Sequence, residues 1–129
     1  SSRIKKASIN TTEWTAWEYA ETGVDAIKKL RNEFSTSLEQ YSSSGAKRNR
    51  EAQRLQVIAI EQSEKSVPYD KANYQFPIAL VVGHETEGVS KEVLKIADQI
   101  VEIPMWGINK SLNVMVSLGI VLYKIMEYK

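Results

Sequence analysis

Three short apolar runs along the chain predict buried β-strands. They span residues 55–60 (LQVIAI), 78–82 (IALVV) and 100–103 (IVEI). All three contain β-branched residues, which favour extended backbone, and polar residues, a glycine or a proline follow them. Because their apolarity is continuous rather than alternating, we expect strands that are covered on both faces, as in a parallel sheet.

Helical spacing of apolar residues marks segments before, between and after these strands. Residues 25–34 and 90–97 each place their apolar side chains on one stripe, and Ser90 is a favoured N-cap. Residues 111–128 are apolar almost all round, which is typical of a helix buried against the sheet and also against another chain. The alternation predicts an α/β fold, with a parallel sheet and helices on both faces, as a single domain over residues 1–129.

One polar stretch interrupts this alternation where a short helix-to-strand connection is expected. Residues 35–50 are rich in serine and then basic, and we interpret them as a flexible insertion. Four basic residues in and just after this stretch are able to contact phosphate, namely Lys47, Arg48, Arg50 and Arg54, although a solvated run of charge is the simpler interpretation.

Composition narrows the classes of function. A formal net charge of +1 gives no bulk field for nucleic acid or membrane, so an RNA partner would need a local patch or an oligomer. The absence of cysteine excludes disulfide and thiolate chemistry and fits a reducing, cytoplasmic compartment. A single histidine, His84, cannot build a multi-histidine metal site, and no apolar run reaches the length of a membrane span. We therefore expect no metal and no membrane.

The first candidate site is the polar loop after the second predicted strand, residues 83–90 (GHETEGVS). In parallel α/β sheets, ligands bind at the carboxyl ends of strands, which is where this loop lies. Gly83 and Gly88 allow close backbone approach to a ligand or a positive φ. Glu85 and Glu87 argue against a naked phosphate and favour a ribose hydroxyl, an amino group or an arginine. Taken alone, an ordinary strand-to-helix turn is the simpler interpretation.

The second candidate site follows the third predicted strand, in residues 103–114 (IPMWGINKSLNV). Pro104 ends the strand, and Ser111 is well placed to cap the final helix. Asn113 is a poor helix former in what reads as the first turn of a very apolar helix, so a functional contact is the alternative. Two such loops at neighbouring strand ends are more suggestive together than either is alone.

The two motifs, IALVVGHETEGVS and QIVEIPMWGINKSLNVMVSLGIVLY, resemble the second and third motifs of the SpoU (TrmH-like) RNA ribose 2′-O-methyltransferases of the SPOUT superfamily. Outside residues 35–50 the likeness covers nearly the whole chain. It implies a C-terminal deep trefoil knot and S-adenosylmethionine (AdoMet) as cofactor. It assigns to the cofactor a set of residues at the two strand ends: Leu80, Val82, Gly83, Glu85, Gly88, Ile103, Pro104, Met105, Ser111, Leu112 and Asn113.

The implied reaction is transfer of a methyl group to a ribose 2′-hydroxyl of tRNA or rRNA, by a homodimer that associates through the knotted region. Glu85, Ser111 and Asn113 are the residues expected to orient the reacting groups, and a core or loop role is expected for His84. The family's first motif, with its arginine, would precede Ser1, so we expect this chain to lack the first βα unit. A non-catalytic module that binds AdoMet or RNA is the alternative, and a generic α/β nucleotide-binding domain is a third interpretation.

Overall fold

The computed structural model describes residues 16–42, 54–107 and 112–129, with the side chains of the first range described as far as residue 35. Its helices are α1 (Gly23–Ser42), α2 (Lys91–Ile96) and α3 (Val114–Met126). Its strands are β1 (Gln56–Ile60), β2 (Val67–Pro68), β3 (Ile78–Val81) and β4 (Gln99–Glu102). Among these residues, no helix has both the length and the apolarity that a membrane crossing requires.

The four described strands form one parallel sheet in the order β2-β4-β1-β3. In this register Ile58 of β1 lies between Leu80 of β3 and Gln99 of β4. The three strands predicted from the apolar runs are therefore all present in one parallel sheet, with β1 between β3 and β4. Because all strands run the same way, their carboxyl ends meet at one edge of the sheet.

Helices cover both faces of the sheet, which confirms the predicted α/β architecture. On the face covered by α1 and α2 the buried residues are Ile27, Val57, Ala59, Val89, Val93 and Ile100. On the face covered by α3 they are Ile58, Ala72, Tyr74, Val101, Val121 and Ile125. Successive residues of β1 point to opposite faces, so each core takes part of the same continuous apolar run.

Helix α1 is longer than the apolar spacing predicted. It continues to Ser42, so the first part of the predicted insertion, residues 35–42, is helical. Those residues contain no glycine or proline, and they include the good helix formers Leu38, Glu39 and Gln40. The serine-rich composition was therefore a misleading signal at this end, and residues 43–50 lie outside the described part of the chain.

Asp98 ties the amino end of the sheet together. Its carboxylate accepts a hydrogen bond from the Val57 amide at 2.7 Å and ion-pairs with Arg31 and Arg54, each at 3.3 Å. Arg31 also donates to the carbonyl oxygen of Ile96 at 2.8 Å. These contacts join α1, β1 and the segment before β4 at the sheet edge opposite to the strand carboxyl ends.

Tyr74 anchors the end of the final helix from the loop between β2 and β3. Its side chain is buried, its hydroxyl donates to the Tyr69 carbonyl oxygen, and its ring meets Tyr128 edge-on with centroids 5.3 Å apart. Burial, with smaller contributions from Tyr128, Asp70 and Tyr69, raises the pKa of Tyr74 to about 12.

We predict that Tyr74 makes the free energy of unfolding fall at high pH. In the unfolded chain its phenol has a pKa of 10.0, so between pH 10 and about 12 the unfolded state binds fewer protons than the folded state. The stability from neutral Tyr74 is complete below pH 10 and is lost as the pH rises through about 12. Urea unfolding over this range should show a steeper loss for the wild type than for Tyr74→Phe. Equal slopes for the two proteins would contradict the assignment.

Candidate functional site

A cleft of about 680 Å³ opens where the carboxyl ends of β1, β3 and β4 meet the start of α3. Residues 60–62 form the β1 side, and residues 82–91 form the β3 side. The remaining wall comes from Leu94 of α2, from Glu102, Ile103 and Met105 after β4, and from Leu112, Val114 and Ser117. The cleft is therefore lined by the 83–90 loop and by four described residues of the 103–114 segment, at the edge of the sheet where ligands bind in parallel α/β folds.

The 83–89 loop is closed on itself by hydrogen bonds. The His84 amide donates to the Gly88 carbonyl oxygen at 3.2 Å, and the Gly88 amide donates to the His84 carbonyl oxygen at 2.8 Å. The His84 Nδ1 accepts from the Thr86 amide at 3.2 Å and lies 2.9 Å from the Thr86 hydroxyl. The His84 side chain therefore stabilises the loop, in agreement with its expected role.

Both glycines of this loop are required by contacts within the protein. A Cβ at Gly83 would lie 2.1 Å from the Gly88 carbonyl carbon. Gly88 has a φ of +70°, and a Cβ there would lie 2.2 Å from a carboxylate oxygen of Glu61. The sequence suggested that these glycines either admit a ligand to the backbone or adopt a positive φ, and Gly88 adopts a positive φ. The close approach that the structure shows is between Gly83 and the Gly88 backbone and between Gly88 and Glu61.

Glu61 is a site residue that the sequence reasoning missed. One oxygen of its carboxylate accepts from the Val89 amide at 2.8 Å, and the other accepts from the Gln62 amide at 3.0 Å. The signal was available, since Glu61 is the first polar residue after the first apolar run. The rule that places ligands at the ends of parallel strands was applied to the second and third runs but not to this one.

The structure brings most of the described cofactor candidates together. Seven of them line the cleft, namely Val82, Gly83, Glu85, Gly88, Ile103, Met105 and Leu112. Leu80 instead packs against the core under α3, and neither Pro104 nor Asn113 lines the cleft. Ser111 lies outside the described residues.

Asn113 is the N-cap of α3. Its side-chain oxygen accepts a hydrogen bond from the Met115 amide at 2.8 Å, and the helix begins at Val114. The prediction that Ser111 caps this helix is wrong, because the helix starts later than the apolar pattern suggested. Capping also accounts for a poor helix former at this position, since asparagine is among the best N-cap residues.

Acidic side chains outnumber basic ones in the cleft. Among the lining residues that the structure describes, Glu61, Glu85, Glu87 and Glu102 face one lysine, Lys91. Such a lining favours hydroxyl, amino or cationic groups and opposes phosphate, because like charges repel. Apolar side chains such as Val82, Ile103 and Leu112 supply the rest of the wall.

The profile of the SpoU rRNA Methylase family matches residues 1–123. The chain belongs to this family. The resemblance drawn from the two motifs is thereby confirmed, and the SpoU fold agrees with the parallel sheet and the helices on both of its faces.

Relatives and solved structures of the SpoU type agree with this assignment. A tRNA (guanosine(18)-2′-O)-methyltransferase from Aquifex aeolicus is 46% identical over 70 residues, which are 54% of this chain and 33% of the relative. The crystal structure of the A. aeolicus TrmH/SpoU tRNA modifying enzyme has a TM-score of 0.52 and 36% identity, covering 73% of this chain and 43% of that one. An AdoMet-bound rRNA methyltransferase from Sinorhizobium meliloti has a TM-score of 0.54 and 31% identity, covering 57% and 28%. The chain spans about a third of the length of the curated relatives it matches.

We predict that Gly83→Ala destabilises the protein, whereas Thr86→Ala in the same loop has little effect. The new methyl group at position 83 would meet backbone atoms that cannot move without opening the loop, at a cost of about 1–3 kcal/mol. Thr86 is exposed, and its backbone amide would still donate to His84, so a change of about 0.5 kcal/mol or less is expected. Urea unfolding of both variants gives the comparison. Equal stabilities would show that the loop does not pack as described.

Proposed function

We propose that this SpoU-family protein uses AdoMet to methylate a ribose 2′-hydroxyl of tRNA or rRNA. The proposal rests on the observation that residues after β3 and residues after β4 line the same cleft. These are the two motifs that resemble the cofactor-binding motifs of the family. Support also comes from the relatives, whose names specify tRNA 2′-O-methylation and, in one structure, bound AdoMet.

The residues present fit AdoMet in size and chemistry. A volume of about 680 Å³ lies within the range of roughly 300–1,000 Å³ that is usual for small-molecule sites. Apolar side chains at Val82, Ile103 and Leu112 suit an adenine ring, and the carboxylates suit ribose hydroxyls and the positive charges of the cofactor. Neutral or cationic parts of the ligand are favoured by this lining over a phosphate-bearing nucleotide such as ATP, which separates the proposal from a generic nucleotide-binding domain.

When bound, AdoMet supplies the electrophilic methyl group. The protein must hold the ribose hydroxyl in line with that group and help to remove its proton. Met105 and Leu112 contribute apolar surface to the wall of the cleft, and Glu85 is exposed in the 83–89 loop. Among the described residues, Glu85 is the carboxylate that we assign as proton acceptor for the hydroxyl. Ser111 and Asn113 remain predicted orienting residues, with the Asn113 oxygen engaged by the helix cap.

The assembly that we propose is a homodimer with a C-terminal trefoil knot, acting on RNA in the cytoplasm. Membership of the family and the likeness to the SpoU structures support the knot. Dimerisation is supported by a row of exposed apolar side chains on α3, here named the α3 stripe, whose members are Met115, Val116, Leu122, Tyr123 and Met126. Tyr123 is 82% exposed and Met115 is 76% exposed, an arrangement typical of a surface that a second protein covers.

We predict that Glu85→Gln lowers methyl transfer while AdoMet still binds. Removing a general base typically costs a factor of about 10²–10⁴ in rate. Glu87→Gln is the matched control, because Glu87 is exposed in the same loop and lines the same cleft. Binding is measured by titration calorimetry with AdoMet, and transfer by labelling bulk tRNA and rRNA and identifying 2′-O-methyl nucleosides after digestion.

Three outcomes of this experiment contradict parts of the proposal. Failure of the natural full-length protein to bind AdoMet would reject the function. Binding without transfer by that protein would favour the non-catalytic module, an alternative supported by the absence of arginine from the described lining of the cleft. Equal rates for the Glu85 and Glu87 variants would reject Glu85 as the proton acceptor.

We predict that Leu122→Glu dissociates the dimer, because it places a charge in the middle of the α3 stripe. Lys95→Glu introduces the same side chain on an exposed position of α2 and should leave the dimer intact. Size-exclusion chromatography with light scattering at micromolar concentration measures the mass of each protein. A wild type that elutes as a monomer, or a Leu122→Glu variant that remains a dimer, would contradict this interface.

A further inference from the structure

Glu61 links the three strand ends that surround the cleft. Its backbone amide donates to the Val101 carbonyl oxygen of β4 at 3.0 Å, while its side chain reaches the loop that follows β3. Glu61 itself follows β1 directly. The residue is therefore held by β4 through its backbone and holds the 83–89 loop through its carboxylate.

The Val89 amide depends on this carboxylate. Val89 is buried in the core under α1 and α2, and its N–H donates to Glu61 across 28 residues of sequence. A buried backbone donor that loses its acceptor costs much more than an exposed one, because water does not replace the lost partner. The loop at Gly88 also packs directly on the Glu61 carboxylate, since no side chain fits between them.

We propose that Glu61 is a positioning residue for the cofactor cleft, holding the 83–89 loop in the conformation that receives AdoMet. This inference rests on the proposed function and assigns a role to a residue outside the two motifs. Glu61 acts through the Val89 amide, and so on the placement of Gly83, Glu85 and Gly88, which line the cleft. Holding the loop requires a side-chain oxygen that extends to the Val89 amide and accepts its hydrogen bond. A negative charge that does not extend to this amide is not sufficient.

Three substitutions at position 61 distinguish the effect of side-chain length from the effect of charge. Glu61→Gln keeps the length of the side chain and one acceptor oxygen but loses the charge. Glu61→Asp keeps the charge but is one methylene shorter and does not reach the Val89 amide. Glu61→Ala removes both, and Glu64→Ala is the control, because Glu64 is exposed in the segment after β1 and does not line the cleft.

The test is calorimetric titration of the natural full-length protein with AdoMet. We expect Glu61→Ala and Glu61→Asp to weaken binding by about ten- to hundredfold, the loss that corresponds to a hydrogen bond with a charged partner. Glu61→Gln should weaken it less, and Glu64→Ala should not change it. Wild-type affinity in Glu61→Ala would overturn the proposal, as would an aspartate variant that binds better than the glutamine variant.

Hydrogen exchange at single amides supplies a readout that a general structural role would not produce. In Glu61→Ala we expect faster exchange at Val89, with unchanged exchange at Val57 and Val101 in the sheet. Equal acceleration at all three amides would mean that Glu61 only stabilises the fold, and it would overturn the proposal. If the unsubstituted full-length protein does not bind AdoMet, the proposed function fails, and the exchange rate of Val89 relative to Val57 and Val101 decides whether Glu61 holds the loop.

Discussion

Burial of β1 on both faces is the constraint on which the rest of the structure depends. Val57, Ile58 and Ala59 have no exposed surface, because α1 and α2 cover one face and α3 covers the other. A strand in this position pairs with neighbours on both edges, here β3 and β4. The carboxyl ends of all three strands thereby lie side by side, and this arrangement of the backbone forms the cleft.

The cleft is built mainly from contacts of the protein with itself. Gly83 accommodates the Gly88 backbone, and Gly88 accommodates the Glu61 carboxylate. The His84 side chain forms its hydrogen bonds within the same loop. Several residues that look functional in the sequence therefore have structural roles, and Asn113 shares this property as a helix cap. Pre-formed loops of this kind reduce the ordering cost that a ligand would otherwise meet on binding.

Acidic and apolar side chains occupy different surfaces around α3. The acidic side chains line the cleft near the amino end of α3. The α3 stripe, in contrast, faces away from the core and is available for a second chain. One helix thus contributes a wall to the cleft through Val114 and Ser117, a core contact through Val121 and Ile125, and the exposed stripe. The all-round apolarity that marked this segment in the sequence is explained by burial on one side and by the proposed dimer contact on the other.

The sequence by itself determined β1, β3 and β4, the class of fold and the two segments that contribute most of the predicted residues lining the cleft. These features depend on local periodicity and on strand-end positions, which are readable in short windows. Only the tertiary structure decided that Glu61 accepts from Val89, that Asn113 rather than Ser111 caps α3, and that α1 continues to Ser42. The first of these joins residues far apart in sequence, and the other two depend on where packing lets a helix begin or end, so local patterns carry too little information to fix them.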